Sequence, residues 1–298
     1  MERILITGAL GQLGLALDRL LKEQNDYEVY RTDTQGFDDG CVKALDITDE
    51  SAVISLISDI KPDVIINCAA MTAVDLCEKE QDKAYRINAL GPKYLATAAE
   101  GINAMLVHIS TDYVFDGRAT EPYIDNAKTN PVSVYGKTKL AGDEYVQKYC
   151  KKSMLLRTAW VYGEGKNFVK TMLRLSESGN SIKVVSDQYG TPTSALELAR
   201  AILFLIKTAS YGTYNATCEG STTWYEFALT IFREAGRKVC VEPIPTSEYP
   251  TPAKRPMYSI LDNKALREKH GYFMKDWKAA FGEYMRDNGY ITMSKSGE

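Results

Sequence analysis

Ile4-Leu-Ile-Thr-Gly8-Ala-Leu-Gly11-Gln-Leu-Gly14 joins an apolar run to a glycine-punctuated turn. Leu13, Leu17, Leu20 and Leu21 then recur at helical spacing to about Glu23. The stretch reads as strand (Arg3 to Thr7), tight turn and helix. The pattern repeats downstream. Tyr27 to Tyr30 is a second strand. A helix capped by Thr48 or Asp49 sets Val53, Leu56, Ile57 and Ile60 on one face, and Pro62 breaks it. Asp63 to Ala69 is a buried strand, followed by a long helix over roughly Gln81 to Gly101. A strand from Ala104 to Ser110, a helix from about Val132 to Tyr149 and a strand from Ser153 to Thr158 complete the series. Such alternation implies an α/β fold, a Rossmann-like doubly wound parallel sheet with right-handed crossovers. Met105 to Ile109 is apolar almost throughout, as suits a sheet covered on both faces.

The second half is less regular. Helices are expected near Phe168–Ser176, Ala195–Thr208, Thr223–Ala235 and Asp276–Arg286. Proline and glycine between Pro243 and Pro256 predict a surface connection. No repeat or low-complexity linker separates the halves. We expect a first domain over 1–165, rejoined by 192–215, and a smaller mixed α/β lobe over most of 166–298. The tail after Tyr290 is expected to be mobile.

With 298 residues, 45% of them hydrophobic, the chain buries a core without staples. A net charge of -3 argues against an electrostatic grip on nucleic acid or anionic membrane. No apolar run approaches the roughly 18 residues of a membrane span. The first residues lack the layout of a signal peptide. The six cysteines are scattered without a C-x-x-C pair, which suits reduced thiols in cytoplasm and no metal site. There are two histidines and no G-x-S-x-G turn, so nothing marks a serine hydrolase.

The glycine turn offers more than a bend. Glycine lets a backbone approach phosphate closely, and the following helix presents free N–H groups and a positive dipole end. Gly8, Gly11 and Gly14, with Gln12 and Leu13, therefore form a candidate dinucleotide site. The spacing is G-x-x-G-x-x-G rather than G-x-G-x-x-G, and a ligand-free turn has the same look. Asp33, about 20 residues on, is placed to accept ribose hydroxyls. Arg31 beside it would instead suit a 2′-phosphate, so NAD and NADP both remain open. Asp46 and Ile47 are further candidates for the adenosine half, and Asp46 reads equally well as a loop carboxylate.

Tyr135 and Lys139 stand four apart in Val-Tyr-Gly-Lys-Thr-Lys, on one face of a helix. An ammonium near a phenol favours phenolate and lowers the tyrosine pKa. The tyrosine could then pass a proton to an alkoxide formed by hydride addition. Solvated helices carry such pairs too. The preceding strand ends in Ser110-Thr111-Asp112-Tyr113, and strand C-termini in open α/β sheets face the ligand crevice.

In chain order these residues resemble the extended short-chain dehydrogenase/reductase superfamily and, within it, the dTDP-4-dehydrorhamnose reductase family. The resemblance rests on Gly8 to Gly14, Asn67-Cys-Ala-Ala-Met-Thr-Ala-Val-Asp75, Ser110-Thr-Asp-Tyr-Val-Phe115 and Tyr135-Gly-Lys-Thr-Lys-Leu-Ala-Gly142. It extends through Arg157-Thr-Ala-Trp-Val-Tyr-Gly163, Asp187-Gln-Tyr-Gly-Thr-Pro-Thr193 and Arg255-Pro-Met-Tyr-Ser-Ile-Leu-Asp262. It implies a catalytic triad in which Thr111 polarises the sugar C4 carbonyl, Tyr135 donates the proton, and Lys139 tunes it and holds ribose. It implies that Ala69 and Ala70 line the cofactor cleft. Thr72, Val74, Asp112, Tyr113 and Trp160 would approach a sugar nucleotide. Arg255 would suit its diphosphate. NADPH is the implied cofactor, with NADH also admissible.

Related dehydratases resemble this chain but carry Thr-Asp-Glu where it has Thr111-Asp112-Tyr113, which favours plain ketone reduction. Some relatives form magnesium-bridged dimers through a glutamate two residues past the third glycine. Ala16 stands there, so a monomer or weak homodimer is expected. Two alternatives are a reductase or epimerase of another keto-sugar nucleotide and a non-catalytic nucleotide-binding regulatory subunit.

Overall fold

The computed structural model describes residues 1–37, 41–179 and 181–291; the tail over 292–298 lies outside them. Seven strands form one sheet in the order Gly212–Asn215, Ser153–Thr158, Met105–Thr111, Val64–Asn67, Glu2–Thr7, Tyr27–Asp33, Lys43–Ala44. Every pairing is parallel. From Glu2–Thr7 the chain winds first to one side, through Tyr27–Asp33, and then to the other, from Val64–Asn67 onward. The strand order therefore reverses there, and the crevice beyond Thr7 and Asn67 is the place for a ligand.

The middle strands Glu2–Thr7, Val64–Asn67, Met105–Thr111 and Ser153–Thr158 are largely apolar because both of their faces are covered, whereas the edge strands are more polar and more exposed. Ile4, Ile6, Val107 and Leu156 pack beneath the helices Gln12–Lys22 and Ala195–Ile206. Leu5, Ile65, Leu106 and Leu155 point the other way, against Glu50–Ile60, Gly91–Gly101 and Val134–Tyr149. A separate apolar cluster gathers Tyr162, Val169, Leu173, Phe227, Ile231, Trp277 and Phe281 from the second half. No helix among the described residues is long and apolar enough to cross a membrane.

Several boundaries differ from expectation. The second strand runs on to Asp33, because Thr32 still pairs with Thr7. The helix expected over Gln81–Gly101 is interrupted: Gln81–Tyr85 is α, Arg86–Leu90 is a π-helical turn, and Gly91–Gly101 resumes the α-helix. Pro92 has no N–H to offer the Asn88 carbonyl, and the Asn88 amide is engaged elsewhere. It accepts from Met71 N at 2.8 Å and donates to Met71 O at 3.1 Å. The connection expected over Pro243–Pro256 begins as a strand, since Val241–Ile244 pairs with Ile182–Val185. Further along it Ala253 is buried.

The helix Trp277–Asp287 is fastened to Ala195–Ile206 by a partly buried ion cluster. Arg200 grips Glu283 with both guanidinium nitrogens, at 2.7 and 3.1 Å, and Lys275 reaches the same carboxylate at 2.6 Å. The Arg200 hydrogen bonds hold the Glu283 carboxyl down at about 2, against an ordinary 4.5. A depressed carboxyl contributes stability above its unfolded pKa and loses it as pH falls through the folded value. We expect Glu283→Gln to cost ~1 kcal/mol near neutral pH, discounted for solvent screening. The gap in thermal midpoint between variant and parent should close as pH falls from 4.5 towards about 2, as calorimetry would show.

Candidate active site

The glycine turn opens the site. Gly8 takes φ +68°, and a Cβ there would stand 2.6 Å from the Ala69 nitrogen. The helix Gln12–Lys22 begins at Gly11 with no side-chain cap and no acidic residue in its first turn. Its first N–H groups are thus left for a ligand. Gly14 lines neither of the two cavities at this turn; it is buried where the helix meets the turn.

Two cavities meet at this turn, sharing Gly11, Cys68 and Ala70. The first, about 520 Å³, is lined by Gly8, Asp33, Asp46, Ile47 and Ala69. It also takes in Lys83 and Arg86 from the segment that turns π-helical. The second, about 550 Å³, holds Gln12, Leu13, Thr72, Val74, Thr111, Asp112, Tyr113, Tyr135, Lys139 and Trp160. Together they form a trough from the second strand to the end of Met105–Thr111. A narrow backbone cradle with open N–H groups and flanking cavities fits a dinucleotide.

Arg31 does not reach the trough, because its guanidinium is paired with Asp18 on the first helix. Asp33 spends one carboxylate oxygen on Leu10 N at 3.0 Å and the other on Thr34 N at 2.8 Å. It braces the turn while facing the cavity. Asp46 accepts from Thr48 N at 2.9 Å and still lines the cavity.

Tyr135 and Lys139 sit on the helix that Ser133 starts by accepting from Gly136 N at 3.1 Å. Tyr135 packs edge-on against Tyr113, with ring centroids 5.3 Å apart. Thr111 donates to Asp112 Oδ1 at 2.8 Å. Burial pushes the Tyr135 phenol well above its ordinary range, and the neighbouring Thr111 hydroxyl pulls it back only in part. The expected lowering by Lys139 is thus corrected: burial dominates the phenol. The ammonium instead donates to the Ile109 carbonyl at 2.7 Å. Burial in turn brings Lys139 down to about 8 and Asp112 up to about 6.

Trp160 adopts φ +48°, rare for a bulky residue, and is held by stacking on Trp224 at 3.6 Å between centroids. Trp224 lines the same cleft. Arg255 is not among the residues lining either cavity and lies beside the cleft, in contact with Tyr113. It pairs with Asp75 at 2.7 Å and donates to the Tyr113 hydroxyl at 3.3 Å. Sequence reasoning missed Trp224, Lys83 and Arg86, for which no local pattern gives a signal.

The family model described as the RmlD substrate binding domain matches residues 1–289. The chain belongs to the dTDP-4-dehydrorhamnose reductase family. It is 42% identical to the spore coat polysaccharide biosynthesis protein SpsK of Bacillus subtilis, over 96% of this chain and 98% of that one. The solved dTDP-4-dehydrorhamnose reductase of Clostridium acetobutylicum superposes with a TM-score of 0.92 at 49% identity, covering 96% of this chain and 99% of its own. The Bacillus anthracis enzyme of this family, solved in complex with NADP, gives 0.90 at 42% identity over 96% and 99%.

Because Gly8 combines a left-handed backbone with a 2.6 Å approach to Ala69, Gly8→Ala should destabilise the protein by at least about 2 kcal/mol. Thermal unfolding measures this, and an unchanged midpoint would mean that the turn relaxes freely.

Proposed function

We propose that this protein reduces the 4-keto group of dTDP-4-dehydro-L-rhamnose to give dTDP-L-rhamnose, using NADPH or NADH in its place. The observation that carries this reading is the convergence of Thr111, Tyr135 and Lys139 in a cleft continuous with the glycine-turn cavity. When bound, the reduced nicotinamide supplies a hydride. The protein's own groups manage the oxygen. Tyr135, kept protonated by burial, is a proton donor at neutral pH. The Thr111 hydroxyl, which donates to Asp112 Oδ1 in the free protein, would turn its hydrogen to the carbonyl oxygen once the sugar binds. The Lys139 ammonium stabilises the phenolate that proton donation leaves, which is worth most where water is excluded.

In this reading residues 1–165, with 192–215, carry the dinucleotide, and most of 166–298 shapes the sugar-nucleotide side. Thr72, Val74, Asp112, Tyr113 and Trp160 form the substrate wall, and Arg255 meets the diphosphate. The protein acts in the cytoplasm, as a monomer or weak homodimer.

Incubation with NADPH and a panel of dTDP-, UDP- and GDP-linked 4-keto-6-deoxy sugars tests this by loss of reduced cofactor. The dTDP sugar should be turned over fastest. NADPH binding without turnover of any sugar would instead indicate a non-catalytic binding subunit. Tyr135→Phe should lower kcat by about 10²–10⁴-fold with NADPH binding intact; equal turnover would remove Tyr135 from the mechanism. Arg86→Ala should reduce the preference for NADPH over NADH by about tenfold, the scale of one charged hydrogen bond. Arg31→Ala should leave that preference unchanged, because Arg31 is held by Asp18.

A further inference from the structure

Below the cleft floor runs a buried polar chain that the proposed reaction leaves without a task. Asn67 Oδ1 accepts two donors, Thr7 Oγ1 at 2.7 Å and Ala69 N at 3.1 Å. Its Nδ2 therefore faces His108 Nδ1, 3.0 Å away, as a donor. An imidazole nitrogen that accepts carries no hydrogen, so the neutral ring is protonated on Nε2. That nitrogen lies 3.5 Å from Asp143 Oδ1 and 3.4 Å from Lys139 Nζ. Asp143 Oδ2 accepts from Ser110 at 2.5 Å. Among the described residues, Asp143 Oδ1 is buried without a hydrogen bond. Asn67, His108, Lys139 and Asp143 are at most 2% exposed.

The protons can be assigned by elimination. A ring that bears hydrogen on Nε2 cannot accept from the ammonium. Lys139 therefore has one neutral acceptor, the Ile109 carbonyl, and no charge balance from His108. A buried ammonium without a counter-charge is strongly unfavourable. Asp143 follows Lys139 by one helical turn on the same face and is the carboxylate within this buried group.

We propose that Asp143 and His108 are positioning residues for Lys139. The Asp143 carboxylate is the buried counter-charge that keeps the lysine an ammonium. The His108 ring, locked as its Nε2–H tautomer by Asn67, fixes the geometry between them. Electrostatics agrees in direction. Burial lowers Lys139, while Asp143 and Cys68 raise it. Burial raises Asp143 to about 6, while Lys139, Ser110 and Arg157 lower it and Glu144 raises it. His108 is held well below 6.5 by burial and by Lys139. Between about 6 and 8 the pair is thus ammonium and carboxylate beside a neutral ring.

The kinetic consequence rests on the reductase reading, whereas the charge arrangement belongs to the protein alone. Two experiments on the full chain separate them. Asp143→Asn should move the alkaline limb of the kcat profile to lower pH by about one unit, the low end of the effect of losing a nearby opposite charge. Asp143→Glu, which keeps the charge, should return the limb towards the parent position. If the parent turns over the keto sugar and Asp143→Asn keeps the parental limb, the positioning role is overturned and the reductase reading stands. If the parent turns over no keto sugar, the reductase reading fails. The second experiment then decides alone, as it does if the variant does not fold. It is an imidazole ¹⁵N spectrum of the cofactor-free parent, which has two histidines, assigned with His270→Gln. A neutral His108 protonated on Nε2 throughout pH 6 to 8 supports the arrangement. An imidazolium, or a ring protonated on Nδ1, overturns it.

Discussion

The helix Val134–Tyr149 lies so close to its neighbour that position 142 has no room for a side chain. A Cβ on Gly142 would stand 2.1 Å from the Asn88 carbonyl oxygen. Pro92, four residues on, has no N–H to donate to that carbonyl. The Asn88 side chain meanwhile ties the π-helical turn to Met71 and donates to Thr138 at 3.2 Å. The helix that bears Tyr135 and Lys139 is thereby set in depth and rotation against the switch point. A larger residue at 142 would lift the helix and move the phenol away from Thr111.

The same proximity explains the electrostatics of the cleft. Pressing this helix on the strand Met105–Thr111 drives Lys139, Asp143 and Tyr135 out of water together. Burial shifts each towards its neutral form, the phenol most usefully, because a protonated Tyr135 is the form that can donate. The ammonium, poised at about 8, is charged at neutral pH without being fixed so by solvent. Helix packing and acid–base chemistry are one design here, and the glycine is what joins them.

The middle of the sheet was legible because its strands are buried on both faces, and no surface requirement breaks the runs Ile4–Ile6, Ile65–Ile66 and Leu106–Val107. The short edge strands Lys43–Ala44 and Gly212–Asn215 carry no such run and were not foreseen. The strand ends were less so. Asp33 and Thr111 are polar where they line the cavities, Thr32 is buried and donates to the Ile6 carbonyl, and polarity in an apolar run reads as termination. Sheet pairing carries the strands through them regardless. The π-helical turn was hidden for a different reason: Pro92 could be read in the sequence, but the hydrogen bonds between the Asn88 side chain and Met71 that accompany the turn are invisible to helical periodicity. The pair Tyr135 and Lys139 was readable from spacing, but its electrostatics was not. Spacing says that two groups are near, while burial decides which proton each one keeps.

Several charges near the cleft are already engaged inside the protein. Arg31 is paired with Asp18 and Arg255 with Asp75, while Asp143 acts on Lys139 through its charge without a direct ion pair. Asp75 also accepts from Ala253 N at 3.2 Å, so one carboxylate pins the backbone and the guanidinium of the Pro252–Pro256 segment beside the cleft. In the role proposed for Arg255, a diphosphate does not meet a bare cation. It meets an ion pair and must compete with a carboxylate for the same fork. Affinity is then the difference between two charge-assisted contacts, smaller than either alone. Such a balance favours release after turnover, because Asp75 is held in place to reclaim the arginine. It also ties the segment's position to occupancy, since the residue that would bind the anion is the one that fastens the segment down.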